Sequence, residues 1–317
     1  MPPKLKRLAL KQLKNQFFEL TYVPDFGCHW TRLKIKSGGE WMDLLYPVED
    51  PEELRGQPTS LGSYIMAPWA NRIPNGVFEF KKKRHQILPN FPDQTAIHGD
   101  VRRRPWKVQS STSAHVKAVL DSRDFEDFNF PFALQFIYEI VLSENKLRTT
   151  LMIQNLSDEP APVGMGHHPF FKRRLTGQDQ DVKLILPAEK VYSAESSFIK
   201  GEAKPVAEKF DLRKDGFLGN PDLDDCYTCL SSDTVQLIYA GSGVKVDLKV
   251  EPVFGHFVVY APKWDDGSER PYFAVEPQTH VTNGFNFYEQ GWKNTGVKEL
   301  KPGEKWGGFF DLLIHTM

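Results

Sequence analysis

An all-β fold, a large antiparallel β-sandwich, is predicted by three observations. Short segments rich in β-branched and aromatic residues recur along the chain, and several alternate polar with apolar side chains. No long window repeats apolar residues three and four positions apart, as an amphipathic helix would. Gly and Pro, 23 of each in 317 residues, punctuate the whole length. Sheets that are apolar on one face bury it best against each other, so two large sheets packed face to face are expected.

In chain order, strands are predicted over residues 17–23, 30–36 and 115–120. The clearest hairpin follows at 134–155 (LQFIYEIVLSENKLRTTLMIQN), where two β-rich halves flank Ser143-Glu144-Asn145. Further strands are predicted at 182–186, 234–239, 244–250, 257–260 and 309–315. Residues 43–62 and 200–224 are rich in Pro, Gly and charge, and read as long loops. No repeat, low-complexity run or compositional break divides the chain, so one unit over residues 1–317 is expected.

Forty basic and 41 acidic side chains give a formal charge of -1, which offers a long polyanion no global field. Nucleic acid is therefore not an expected partner. Three cysteines, an odd number, argue against a disulfide scaffold and suit a reducing compartment. Residues 1–20 keep interrupting their apolar side chains with Lys and Gln, and no run approaches 18 apolar residues. Cytoplasmic residence without a membrane partner is the resulting expectation, with monomer and homodimer both open. Cys226-Tyr-Thr-Cys229 has the spacing of half a zinc site but lacks a second half, and no nucleotide loop, HExxH or GxSxG is present. Neither metal nor cofactor is expected.

Four segments concentrate polar, aromatic, Gly and Pro residues: 67–73 (APWANRI), 96–100 (AIHGD), 164–171 (GMGHHPFF) and 273–278 (FAVEPQ). A His and a Glu brought together from such segments, at strand ends or loops, make a proton donor and acceptor near neutral pH. By residue chemistry alone, His168 also suits a turn, Glu276 an exposed strand end, Arg72 a loop brace, and Asp224 or Asp225 a solvated loop. Trp69, Trp106, Phe170 and Phe171 suit an ordinary core, with Trp69, beside Arg72, the best placed to face a sugar.

Taken in order, these segments resemble the aldose 1-epimerase (galactose mutarotase-like) family, with matches from about residue 60 to 286. The resemblance implies a β-sandwich that interconverts the anomers of an aldohexose by ring opening and reclosure. It implies that Glu276, in Glu-Pro-Gln, is the general base and that His168, immediately before Pro169, is the acid. It assigns Arg72 of Asn-Arg-Ile, His98 of His-Gly and Asp224 of Leu-Asp to sugar binding. His167 joins this binding group, exchanging roles with His168 should the register slip by one, and so does Trp69.

The sequence departs from familiar galactose mutarotases at Asp100, where a second Gly often follows His-Gly, and in the His167-His168 pair. Basic runs at 81–84, 102–104 and 172–174 also stand out. Two of them follow pocket motifs, so Arg102, Arg103, Arg104 and Arg173 are candidates to hold the acidic end of a phosphorylated or sulfonated sugar. A hexose 6-phosphate 1-epimerase is thus the alternative substrate reading, and a noncatalytic carbohydrate-binding protein the alternative class.

Overall fold

A computed structural model describes residues 7–56, 61–195 and 198–317. Part of the loop expected at 43–62, and the first six residues of the N-terminal segment, lie outside the described residues. Two large sheets dominate, one of eleven strands and one of eight, and their ladders are antiparallel. The structure is thus the sandwich anticipated above. The single α-helix among the described residues is Gly284–Glu289.

The eight-stranded sheet is built on the predicted hairpin, Leu134–Ser143 with Lys146–Asn155. Its turn is tighter than expected: Ser143 pairs with Lys146, leaving Glu144 and Asn145 as the loop, with Glu144 at φ 47°. Along Leu134–Ser143 every second residue is buried and those between are half-buried or, at Ser143, exposed, the mark of a sheet with one solvated face. Lys305–Thr316, the longest strand, pairs with Lys146–Asn155 on one side and Val244–Val250 on the other. It draws the C-terminal segment into the middle of the sheet.

The eleven-stranded sheet has a different character. Its central order runs His29–Ser37, Ser63–Met66, Gly166–Lys172, Tyr272–Gln278, His256–Ala261 and Leu223–Leu230. Ser63–Met66 is buried throughout and Gly166–Lys172 nearly so, because both faces of the sheet are covered. One face points at the second sheet: Ile65, Phe171, Phe273, Val275, Phe257, Val259 and Tyr227 join the main core. The opposite face carries Tyr64, Met66, Phe170 and Ala274, which form a separate cluster beneath the loops. Period-two alternation therefore sends every second residue of these strands away from the main core.

Candidate active site

Register across the central strands assembles the site on that second face. Tyr64 pairs with His168, and Val258 pairs with Glu276 and Cys226. Gly166 pairs with Gln278 and Phe170 with Ala274, which sets His168 opposite Glu276. One row thus runs Tyr64, His168, Glu276, Val258, Cys226. The next runs Phe170, Ala274, Tyr260, Asp224. The two side chains proposed for proton transfer are cross-strand neighbours, mid-strand rather than at strand ends or loops.

Two loop segments close over these rows. Arg72 pairs with Ile97, while His98 donates its backbone N–H to Asn71 O at 3.0 Å. Asn71 returns its own N–H to Nδ1 of His98 at 3.2 Å. That bond makes Nδ1 an acceptor and leaves the ring hydrogen on Nε2. Gly99, at φ +71°, packs so tightly that a Cβ there would lie 1.8 Å from Ala67 O. Only glycine lets the His98 segment approach the Ala67 segment this closely.

The result is a recess of about 80 Å³ lined by Arg72, His98, His168, Asp224 and Glu276, together with Asn71, Phe91, Ile97, Phe170 and Tyr260. His168 Nε2 lies 3.1 Å from Glu276 Oε1, and both side chains are buried. Arg72 spans two carboxylates, with Nε 3.2 Å from Asp93 and Nη1 3.8 Å from Asp224. Burial pushes the Glu276 carboxyl well above its ordinary range; Asp224 adds to the rise and Arg72 opposes it. Burial pushes His168 well down, and the positive charge of Arg102 adds to the effect. His98 is likewise held neutral, first by burial and then by His168 and Arg102.

A family model described as Aldose 1-epimerase matches residues 12–312. The chain belongs to the aldose 1-epimerase family. Among curated proteins, the uncharacterized protein YphB of Escherichia coli is 22% identical over 270 residues, covering 84% of this chain and 88% of that one. The uncharacterized protein YihR of the same organism is 29% identical over 146 residues, a match spanning only 46% of either chain. Among solved structures, a galactose mutarotase-like protein from Clostridium acetobutylicum superposes with a TM-score of 0.83 at 22% identity, covering 98% of this chain and 99% of that one. The GalM/aldose epimerase homologue from C. elegans gives 0.82 at 18% identity, covering 98% and 99%. These structural likenesses show the fold, while the family match supports activity of the aldose-epimerase type.

The aldose 1-epimerase motifs bring five expected residues together, but four other expectations need correction. His167 points to the opposite face, between the sheets. Its Nδ1 meets Ser63 Oγ at 2.8 Å and its Nε2 meets Tyr138 OH at 3.0 Å, so neither nitrogen is available to a sugar in the recess. Trp69 is fully buried, donates to Ala96 O at 3.1 Å and stacks on Phe130. It is a core residue. Arg173 is held by Asp181 through two bonds of 3.0 and 2.7 Å and by Glu269 at 3.2 Å. Arg104 is held by Asp100 at 2.7 Å and Asp127 at 2.6 Å. Both guanidiniums already have carboxylate partners, so a sugar's acidic group would have to displace them.

Phe170, given above to the ordinary core, instead lines the recess and stacks on His168 with centroids 4.4 Å apart. Asp93, Tyr64 and Tyr260 were not anticipated. Asp93 sits in a turn, accepting from Thr95 N at 3.0 Å, and its pairing with Arg72 has no sequence motif. Tyr64 could have been found only from its register opposite His168. Asp225 accepts from Ala194 N at 2.9 Å and so holds the short strand Ala194–Glu195, leaving Asp224 as the carboxylate that lines the recess.

Proposed function

We propose that this protein is an aldose 1-epimerase, interconverting the α and β anomers of a free aldohexose with Glu276 and His168 as the proton-transfer pair. The observation that carries the reading is their 3.1 Å contact inside a recess shared with Arg72, His98 and Asp224. Glu276 takes the proton of the anomeric hydroxyl. The O1 electron pair forms the carbonyl, the bond from C1 to the ring oxygen breaks, and that oxygen takes the proton of His168. The aldehyde turns about C1–C2, and the reverse transfers close the ring on its other face.

Throughout this cycle the pair keeps one proton. The closed ring faces carboxylate and imidazolium; the open chain faces neutral carboxyl and neutral imidazole. Burial disfavours the charged pair, as the opposite shifts of Glu276 and His168 indicate, and so favours the ring-opened stage. The Nε2–H of His98 and the guanidinium of Arg72 are donors suited to charge building on the ring oxygen. At about 80 Å³ the recess is far below the few hundred cubic ångströms of a drug-sized site, so it encloses only the reacting edge of a sugar.

The test is anomer exchange of α-glucose and α-galactose followed by polarimetry with the purified protein. Acceleration that saturates with sugar is the expected result. Saturable binding without acceleration would favour the noncatalytic alternative, and neither would overturn both.

A further inference from the structure

His280 is a buried histidine that the proposed reaction does not use. It is 1% exposed, does not line the recess, and lies two residues beyond the end of Tyr272–Gln278, the strand that carries Glu276. Both ring nitrogens are engaged. Nε2 accepts the backbone N–H of Ala70 at 2.9 Å, which places the ring hydrogen on Nδ1, and Nδ1 donates to Val281 O at 2.7 Å. Burial lowers its pKa to about 4, so at neutral pH the ring keeps the lone pair that the Ala70 bond needs.

Ala70 belongs to the loop that carries Arg72. Three consecutive amides of this loop are received by side chains rather than by a ladder: Ala70 N–H by His280, Asn71 N–H by Nδ1 of His98 at 3.2 Å, and Arg72 N–H by Asn71 Oδ1 at 2.8 Å. Ala70 is fully buried, so its N–H depends on this acceptor. A few residues after His280, Asn283 N–H donates to Arg72 O at 2.9 Å. The ring is slotted between two glycines: a Cβ on Gly164 would lie 1.8 Å from its Cδ2, and one on Gly284 2.7 Å from its Nδ1. Gly164 opens the segment that leads to His168 and donates its own N–H to Pro68 O at 2.7 Å, while the His280 carbonyl accepts from Gln278 Nε2 at 2.9 Å. His280 thus sits where the segments bearing Arg72, His168 and Glu276 meet.

We propose that His280 is a positioning residue for Arg72, a neutral buried acceptor that clamps the 67–73 loop to the end of the Glu276 strand. The guanidinium and the proton-transfer pair then keep a fixed separation before any sugar arrives. This rests on the anomer-exchange reading and adds to it a residue that touches no sugar.

Two variants separate the clamp from mere packing. His280→Asn keeps a donor for Val281 O but is too short to reach Ala70 N–H, whereas His280→Gln puts an amide oxygen near the Nε2 position. For anomer exchange of glucose, kcat/KM should fall at least about tenfold in His280→Asn and recover to within about threefold of wild type in His280→Gln. Because the effect passes through Arg72, adding His280→Asn to Arg72→Gln should cost less than about twofold more. An equal loss with and without Arg72, or Asn and Gln variants that behave alike, overturns the proposal.

Two further readouts need no turnover. Nitrogen NMR of the wild type should show His280 protonated on Nδ1 and bare on Nε2; the opposite tautomer, or an imidazolium at pH 7, overturns the clamp without any variant. Amide hydrogen exchange over residues 67–73 should quicken at least about tenfold in His280→Asn but not in His280→Gln, with the 134–155 hairpin unchanged. Quickening that is equal in the hairpin marks general destabilisation and overturns the clamp. If these two readouts come out as expected while the wild type interconverts no anomers, the clamp stands and the anomer-exchange reading fails alone.

Discussion

Two adjacent histidines on one strand have opposite fates because a strand alternates its faces. His168 enters the recess; His167 is fixed between Ser63, Tyr138 and the Trp30 ring. His168→Ala should therefore abolish anomer exchange with little change in melting temperature. His167→Ala should do the reverse, costing about 2–4 kcal/mol of stability, from a core void and two orphaned hydroxyls. Denaturant titration alongside polarimetry checks both. The proposed proton pair should also set the pH profile. On the proposed mechanism exchange requires the one-proton form, so the rate should fall as acid adds a second proton to the pair. With His168 depressed, that limb lies below the ordinary imidazole value of 6.5. The alkaline limb, where the pair loses its proton, lies above the ordinary carboxyl value of 4.5 because Glu276 is raised. A kcat/KM profile from acid to alkaline pH should accordingly be bell-shaped, with its acid limb below the ordinary imidazole value and its alkaline limb above the ordinary carboxyl value.

Elements differed in how readily the sequence disclosed them, and the cause is burial. Thr234–Tyr239 and Val244–Val250 were read to the residue, since one face is less buried than the other and the pattern alternates. Ser63–Met66 and Gly166–Lys172 escaped prediction, being covered on both faces and therefore without a period. Those are the strands that carry Tyr64 and His168. Arg72, His98, His168, Asp224 and Glu276 were legible through ordered motifs. The fates of Arg173 and His167 were not, because their partners Asp181, Ser63 and Tyr138 are set by tertiary packing. At this scale the Gly99 approach is the sharpest constraint on the loops. Gly99→Ala should push the His98 and Ala67 segments apart, raising KM more than it lowers kcat and reducing the melting temperature.

Across the molecule, buried neutral histidines link stability to pH. His29, His256 and His280 are lowered to about 4 and His167 to about 3, in each case first by burial. Their folded values lie below the unfolded value of 6.5, so their contribution is complete above that pH and is lost as pH falls toward the folded values. Each adds a slope approaching about 1.4 kcal/mol per pH unit between pH 6.5 and 4. Urea unfolding at a series of pH values should show stability falling steeply over that window; a flat response would contradict the burial of these rings. The main core draws on residues from Leu13 to Ile314, and we propose that the chain unfolds as one cooperative unit over its whole length.

The central claim is that Glu276 and His168 form a single proton couple acting on one sugar. Its most direct measurement is magnetisation transfer between α- and β-glucose by NMR, comparing wild type with Glu276→Gln. The substitution keeps the side-chain shape and should lower kcat by about 10²–10⁴ without unfolding the protein. Exchange persisting at the wild-type rate in a folded Glu276→Gln protein would contradict the account.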